Sequence, residues 1–143
     1  MNSALLSLYF HVIIFLIHPI SCSKDEVHNK VAGLFIFGDS ILDAGNNNYI
    51  NTTTLDQANF FPYGRTFFRF PTGRFSDGRL ISDFIAEYAK LPLIPPFLRP
   101  GNHQYEYGVN FASGGAGALV ETFNGQVINL KEQLTFYKKV ERL

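Results

Sequence analysis

Ser40 is the residue whose type and setting best suit it to covalent chemistry. It follows the apolar run Val31–Phe37 and the pair Gly38-Asp39. A serine just past the carboxyl end of a buried strand stands where open α/β sheets carry their sites. Gly38 permits a sharp turn there, and the residues after Ser40 can begin a helix. A serine at a helix start can aim its own N–H outwards to stabilise an oxyanion while its hydroxyl attacks a carbonyl. The structural alternative is that Ser40 or Asp39 simply caps that helix. Local residues alone favour the cap, because strand–turn–serine–helix is a common arrangement. The G-x-S-x-G elbow of α/β-hydrolases is absent.

A serine hydroxyl needs a base to be a good nucleophile at neutral pH. Of the four histidines, His11 and His18 fall in an apolar leader. His28 precedes the first strand, at its opposite end from Ser40. His103 lies in the Pro100–Tyr107 loop and reads as a surface residue. None is a convincing partner. Asn46, Asn47 and Asn48 read as tight-turn and loop-bonding residues rather than weak metal ligands. No His/Cys cluster has metal-ligand spacing, so neither a metal nor a cofactor is expected. Gly115-Ala116-Gly117 follows a strand as a dinucleotide loop would, but Val120 occupies the third glycine position. Arg65, Arg69, Arg74 and Arg79 alternate with Phe67, Phe68, Phe70 and Phe75. RNA stacking needs such a pattern, yet 12 basic against 12 acidic residues leave no basic footprint for a nucleic acid. The pattern reads instead as loop packing with solvated Arg heads.

The elements that would hold these residues alternate. Val31–Phe37 suits a strand buried on both faces of a parallel sheet. Residues 45–78 are dense in Asn, Thr, Gly and Pro and are too long for an ordinary connection, which suggests a functional loop region. Asp77 is the expected N-cap of a helix whose apolar face is Leu80, Ile81, Phe84, Ile85, Tyr88 and Ala89. Lys90 suits its carboxyl end and Pro92 stops it. Residues 91–98, with three prolines, read as an extended or edge segment. Tyr107–Ala112 reads as a second buried strand that runs into Ser113-Gly114-Gly115. A last helix starts near Asn129, with Glu132 completing a capping box. Leu130, Leu134, Tyr137 and Val140 are its expected inner face. The order is βαβ, which implies a parallel sheet. Fifteen Phe and seven Tyr without Trp imply aromatic packing or an apolar groove.

The first 23 residues hold no Asp, Glu, Lys or Arg. Leu5–Ile17 followed by Pro19 and Ser21-Cys22-Ser23 reads as a secretory signal peptide, residues 1–23, ahead of a domain from 24 to 143. The apolar run is short for a stable membrane span. Secretion gives meaning to the sequon Asn51-Thr52-Thr53, an expected glycosylation site at Asn51. The lone Cys22 allows no internal disulfide.

Three longer stretches resemble one family. FIFGDSILDAGNNNY (35–49) resembles block I of plant GDSL esterase/lipases, members of the SGNH hydrolases. FPTGRFSDGRLISDFIAEYAKLPLIPPFL (70–98) is similar to that family's next stretch, and GVNFASGGAG (108–117) to its block II. The resemblance covers the N-terminal part of such a hydrolase. It implies a flavodoxin-like three-layer α/β/α sandwich, here with a partial parallel sheet. It implies Ser40 as nucleophile of a carboxylic-ester hydrolase, acting through an acyl-enzyme without a cofactor. Ser40 and Gly114 N–H groups would form the oxyanion hole, with Gly115 close enough to leave the register open. The implied substrate is a small-molecule, lipid or acylated-sugar ester; no oligomeric state is implied.

The family's G-x-N-D block does not occur in these 143 residues, and no D-x-x-H string follows block II; the one such string, Asp25 to His28, precedes the first strand. The chain alone is therefore expected to have little esterase activity, and exposed strand edges and apolar helix faces are expected to make it aggregate. The non-enzymatic alternative is a truncated product that is inert or that binds acyl or sugar ligands through its Phe-rich segment.

Overall fold

A computed structural model describes residues 33–101 and 104–142. The leader 1–23, the sequence up to Gly33 and all four histidines lie outside the described residues. Two short strands, β1 (Leu34–Ile36) and β2 (Gly108–Asn110), pair in parallel with Leu34 opposite Gly108 and Ile36 opposite Asn110. The expected strands are present but shorter. β2 is buried throughout, whereas Phe35 in β1 is 39% exposed, so β1 is not covered on both faces.

Residues 91–98 supply the sheet's far edge, as three prolines suggested. Pro96 bridges Asn110 in parallel. The Pro95 carbonyl accepts the Asn110 N–H at 3.0 Å, and the Phe97 N–H donates to the Asn110 carbonyl at 2.8 Å. Pro96 faces away from β2, where a missing N–H costs nothing.

A helix packs on each face of this sheet. On one side Ala86, from α2 (Ile81–Tyr88), joins Ile36, Ile94 and Ala112. On the other side Val140, from α3 (Leu130–Val140), joins Val109 and Phe111, with Phe37, Phe97, Phe136 and Tyr137 around them. This second core is aromatic: Phe37 stacks on Phe111 at 5.1 Å and Phe97 on Phe136 at 4.7 Å. The layering is α/β/α, in a partial sheet. A short helix α1 (Thr54–Gln57) and a 3-10 turn (Asn46–Tyr49) lie in the loop region between β1 and α2.

Both long helices depart from their expected faces. α2 begins at Ile81 with Leu80 as N-cap, three residues after Asp77. The Asp77 carbonyl is engaged instead by the Thr66 N–H and hydroxyl. The inner face of α2 is Ser82, Asp83 and Ala86, while Ile81 is 61% and Tyr88 92% exposed. A buried ion pair sets this rotation. Arg74 Nε and Nη2 each lie 2.9 Å from an Asp83 carboxylate oxygen, and Asp83 Oδ2 also accepts the Leu80 N–H. Drawing Asp83 inward turns the apolar stripe outward. The Arg74 head is thus buried, and it lies over the Phe68 ring, contrary to the expectation of solvated heads. Arg65 and Arg69 are exposed as expected.

In α3 the Asn129–Glu132 capping box forms in both directions, at 3.0 and 3.1 Å. Its inner face includes Gln133 with Phe136, Tyr137 and Val140, and Leu130 and Leu134 turn outward. Among the described residues no helix is long and apolar enough to cross a membrane.

Candidate active site

Ser40 lies in a turn beyond the carboxyl end of β1. The turn closes through the Asp39 carbonyl, which accepts N–H groups from Leu42 at 3.1 Å and Asp43 at 3.0 Å. Asp39 Oδ1 caps it by accepting the Ile41 N–H at 3.0 Å. No helix begins at Ser40; the next helical turn is Asn46–Tyr49. The choice between capping residues therefore falls on Asp39. Ser40 is partly exposed, and among the described residues neither its N–H nor its hydroxyl has a hydrogen-bond partner.

The turn is held from below by a residue that hydrophobic patterning passed over. Gln133 is fully buried. Its Oε1 accepts the Gly38 N–H at 3.0 Å, and its Nε2 donates to the carbonyls of Gly38 at 2.9 Å and Ile128 at 2.8 Å. The side chain of α3 thus fixes the backbone two residues before Ser40. Gln133→Leu should destabilise the chain by on the order of 2–3 kcal/mol, because it strands buried backbone groups without partners. Urea unfolding of the two proteins measures this.

Block II arrives beside the serine turn through the same glycine. The Ser113 N–H donates to the Gly38 carbonyl at 3.1 Å. Beyond it, Ser113–Ala116 forms a β-turn closed by the Ala116 N–H on the Ser113 carbonyl at 3.0 Å. Gly115 has φ +84°, and Gly114 is not at positive φ. That combination defines a type II turn, which requires a residue such as glycine at its third position.

Side chains of the segment after Ser40 lock this turn from inside. Asp43 is fully buried; Oδ1 accepts the N–H groups of Gly45 at 2.8 Å and Asn46 at 2.7 Å, and Oδ2 that of Gly114 at 2.9 Å. Asn46 Nδ2 donates to the carbonyls of Asn110 and Ala112, at 2.9 and 2.8 Å. Asn47 Nδ2 donates to the Gly114 carbonyl at 2.9 Å and to that of Asp56 at 2.8 Å. The Ser113 hydroxyl donates to Asn47 Oδ1 at 2.5 Å and accepts the Ile128 N–H at 2.9 Å. Asn46 and Asn47 are loop-bonding residues, as expected. Their partners in block II, 64 to 71 residues away, carry no sequence signal.

Burial pushes the Asp43 carboxyl up from 3.8 to about 6, against the pull of the N–H groups of Gly114, Gly45, Asn46 and Asn47. The folded state therefore holds this proton more tightly than the unfolded chain. The associated stability is complete below about pH 4 and is lost as the pH rises through about 6. Asp43→Asn lacks this term. The stability advantage of the unsubstituted chain over the variant should shrink by ~2 kcal/mol between pH 4 and pH 7. Chemical unfolding at both pH values checks it.

The Gly114 N–H, the expected oxyanion donor, is thus already given to Asp43. The N–H of Gly115 has no partner among the described residues. A hollow of about 390 Å³ lies elsewhere, lined by Pro92, Arg99, Glu106 and Tyr107 among others, at the amino end of β2. It takes no part in this arrangement. Among the described residues no group of His, Cys, Asp or Glu is arranged to hold a metal ion. No helix opens at the turn after β2, as a dinucleotide loop would need.

The profile of the GDSL-like lipase/acylhydrolase family matches residues 34–142. The chain belongs to that family. Its GDSL relatives include GDSL esterase/lipase 5 of Arabidopsis thaliana, 81% identical over 116 residues, which are 80% of this chain and 30% of that protein. GDSL esterase/lipase 1 of the same plant is 58% identical over 99% of this chain and 39% of its own length. A GDSL lipase of Tanacetum cinerariifolium is 53% identical over 83% of this chain and 32% of its own. The chain thus spans between 30% and 39% of the length of these three relatives. No solved structure matches it significantly. Within the GDSL family Ser40 falls in the GDSI tetrad of block I, and Gly114-Gly115 in block II.

Proposed function

We propose that these residues are the nucleophile-bearing part of a carboxylic-ester hydrolase. The observation that carries the reading is the hydroxyl and N–H of Ser40, without partners among the described residues, beside the Ser113–Ala116 turn and joined to it through the Ser113–Gly38 hydrogen bond. Ser40 Oγ attacks the ester carbonyl, giving up its proton to a base from outside the described residues. The oxyanion is held by the N–H groups of Ser40 and Gly115. Gly115 takes the place first given to Gly114, whose N–H is spent on Asp43. The alcohol leaves, and water then hydrolyses the acyl-serine.

Substrates are lipid, acylated-sugar or small acyl esters. Phe61, Phe67 and Phe70 are exposed in the loop region and supply apolar surface to an acyl group. The same surface is what favours the second reading, a non-catalytic acyl-binding module. Residues 1–23 support secretion, and Asn51, exposed in an irregular stretch, is the glycosylation site that secretion would make available.

Rapid mixing of p-nitrophenyl acetate with the full-length protein carrying this segment tests the reading. A burst of one equivalent of p-nitrophenol, absent from Ser40→Ala, is expected. Binding without release would favour the acyl-binding module instead.

A further inference from the structure

Asn47 touches no reacting atom, yet it determines which way one peptide of the site faces. The Gly114–Gly115 peptide is the central peptide of the Ser113–Ala116 turn. Its carbonyl is held at 2.9 Å by Asn47 Nδ2, on the buried side. A trans peptide is planar, so its C=O and N–H point in opposite directions. Holding the Gly114 carbonyl inward therefore holds the Gly115 N–H outward.

This peptide needs holding. A turn of four residues changes between type I and type II by rotating its central peptide through about half a turn, with little movement elsewhere. Glycine on both sides makes that rotation cheap, since neither residue has a Cβ to oppose it. In the type I form the carbonyl would face out, and an oxyanion there would meet a lone pair. The type II form is the one observed, with Gly115 at φ +84°.

Asn47 is itself fixed. It is fully buried, and its Oδ1 accepts the Ser113 hydroxyl while Nδ2 also donates to the Asp56 carbonyl. Its amide cannot rotate end for end without setting an oxygen against two carbonyls. Asp43 holds the preceding peptide by the Gly114 N–H, so the two peptides on either side of Gly114 are pinned by different side chains.

We infer that Asn47 is a positioning residue, which selects the type II turn and so presents the Gly115 N–H as an oxyanion donor. This rests on the hydrolase reading above for its catalytic consequence, but the orientation of the peptide can be read without any activity.

Asn47→Asp keeps the shape and reverses the polarity. The new oxygen repels the Gly114 carbonyl and accepts the Gly115 N–H once the peptide has rotated. Amide hydrogen exchange at Gly115, followed by NMR on the full-length protein, should change from fast to protected. In the full-length protein kcat for p-nitrophenyl acetate should fall by ~10²–10³-fold, the usual cost of one oxyanion donor, with KM within about threefold of its starting value.

A matched pair covers the case in which this variant fails to fold. Gly115→Ala and Gly115→Asn both place a Cβ 3.0 Å from Val127 Cγ1, but Asn tolerates positive φ and Ala disfavours it. The Ala variant should lose roughly tenfold more kcat than the Asn variant, as ~1–2 kcal/mol of left-handed strain implies. Fast exchange at Gly115 in Asn47→Asp, or equal losses in the two Gly115 variants, would overturn the inference. If Ser40→Ala leaves turnover intact, the hydrolase reading fails, while the exchange measurement still decides the orientation.

Discussion

Ser40→Ala should reduce p-nitrophenyl acetate turnover by the full-length protein by ~10⁴-fold or more, leaving its stability nearly unchanged. The activity loss follows from the chemistry: without Oγ no acyl-enzyme forms, and what remains is the contribution of binding and the oxyanion hole. The unchanged stability follows from the structure. Ser40 Oγ has no hydrogen-bond partner among the described residues, and the turn is capped by Asp39 and bracketed by Gln133. Removing an unpartnered, partly exposed hydroxyl strands nothing. A cap or a buried hydrogen-bonding serine would behave in the opposite way, costing stability on substitution. Steady-state kinetics and thermal unfolding of the same pair of proteins separate the two.

Arg74→Ala should have the largest effect on stability, a loss of about 3–5 kcal/mol. Breaking a buried pair by removing one partner leaves a buried charge uncompensated. Here, among the described residues, Asp83 would keep only the Leu80 N–H. The Arg74 guanidinium also donates to the Ala44 carbonyl at 3.3 Å, tying the segment after Ser40 to α2. The variant therefore loses a connection between the serine turn and the helix as well as the pair itself. Arg74→Lys should recover only part of the loss, because an ammonium cannot make the two parallel hydrogen bonds of the guanidinium. Urea unfolding of the three proteins measures the order.

Local signals in the sequence hold in several places, though Asp77, a capping residue by type, does not cap α2. Asn129 and Glu132 are three residues apart, and their capping box forms as written. The prolines of residues 91–98 place that segment at the sheet edge, and the two apolar runs pair in parallel. Helix rotation was less legible. Hydrophobic spacing put Phe84, Ile85 and Tyr88 inward, whereas the Arg74–Asp83 pair turns α2 the other way. Gln133 likewise displaces Leu130 and Leu134 from the inner face of α3, because it satisfies both backbone groups of Gly38. Polar residues that bond distant backbone have no periodicity to reveal them.

The same reason explains how the candidate site was read. Ser40 stood out by its place after an apolar run and by the family resemblance. Asn46 and Asn47 read only as turn residues and Asp43 drew no reading, since the bonds that tie all three to block II span more than 60 residues. Consecutive glycines at 114 and 115 cannot be told apart by type. Hydrogen bonding separates them: one N–H is given to Asp43, and the other has no partner among the described residues.

The central claim is that Ser40 is the activated nucleophile of this family member. The most direct test is to treat the full-length protein with a fluorophosphonate ester and locate the adduct by peptide mass spectrometry. A single phosphonyl group on the peptide carrying Ser40, absent from Ser40→Ala, is the result the account predicts. Stoichiometric labelling at a different serine, or labelling that persists in Ser40→Ala, would contradict it.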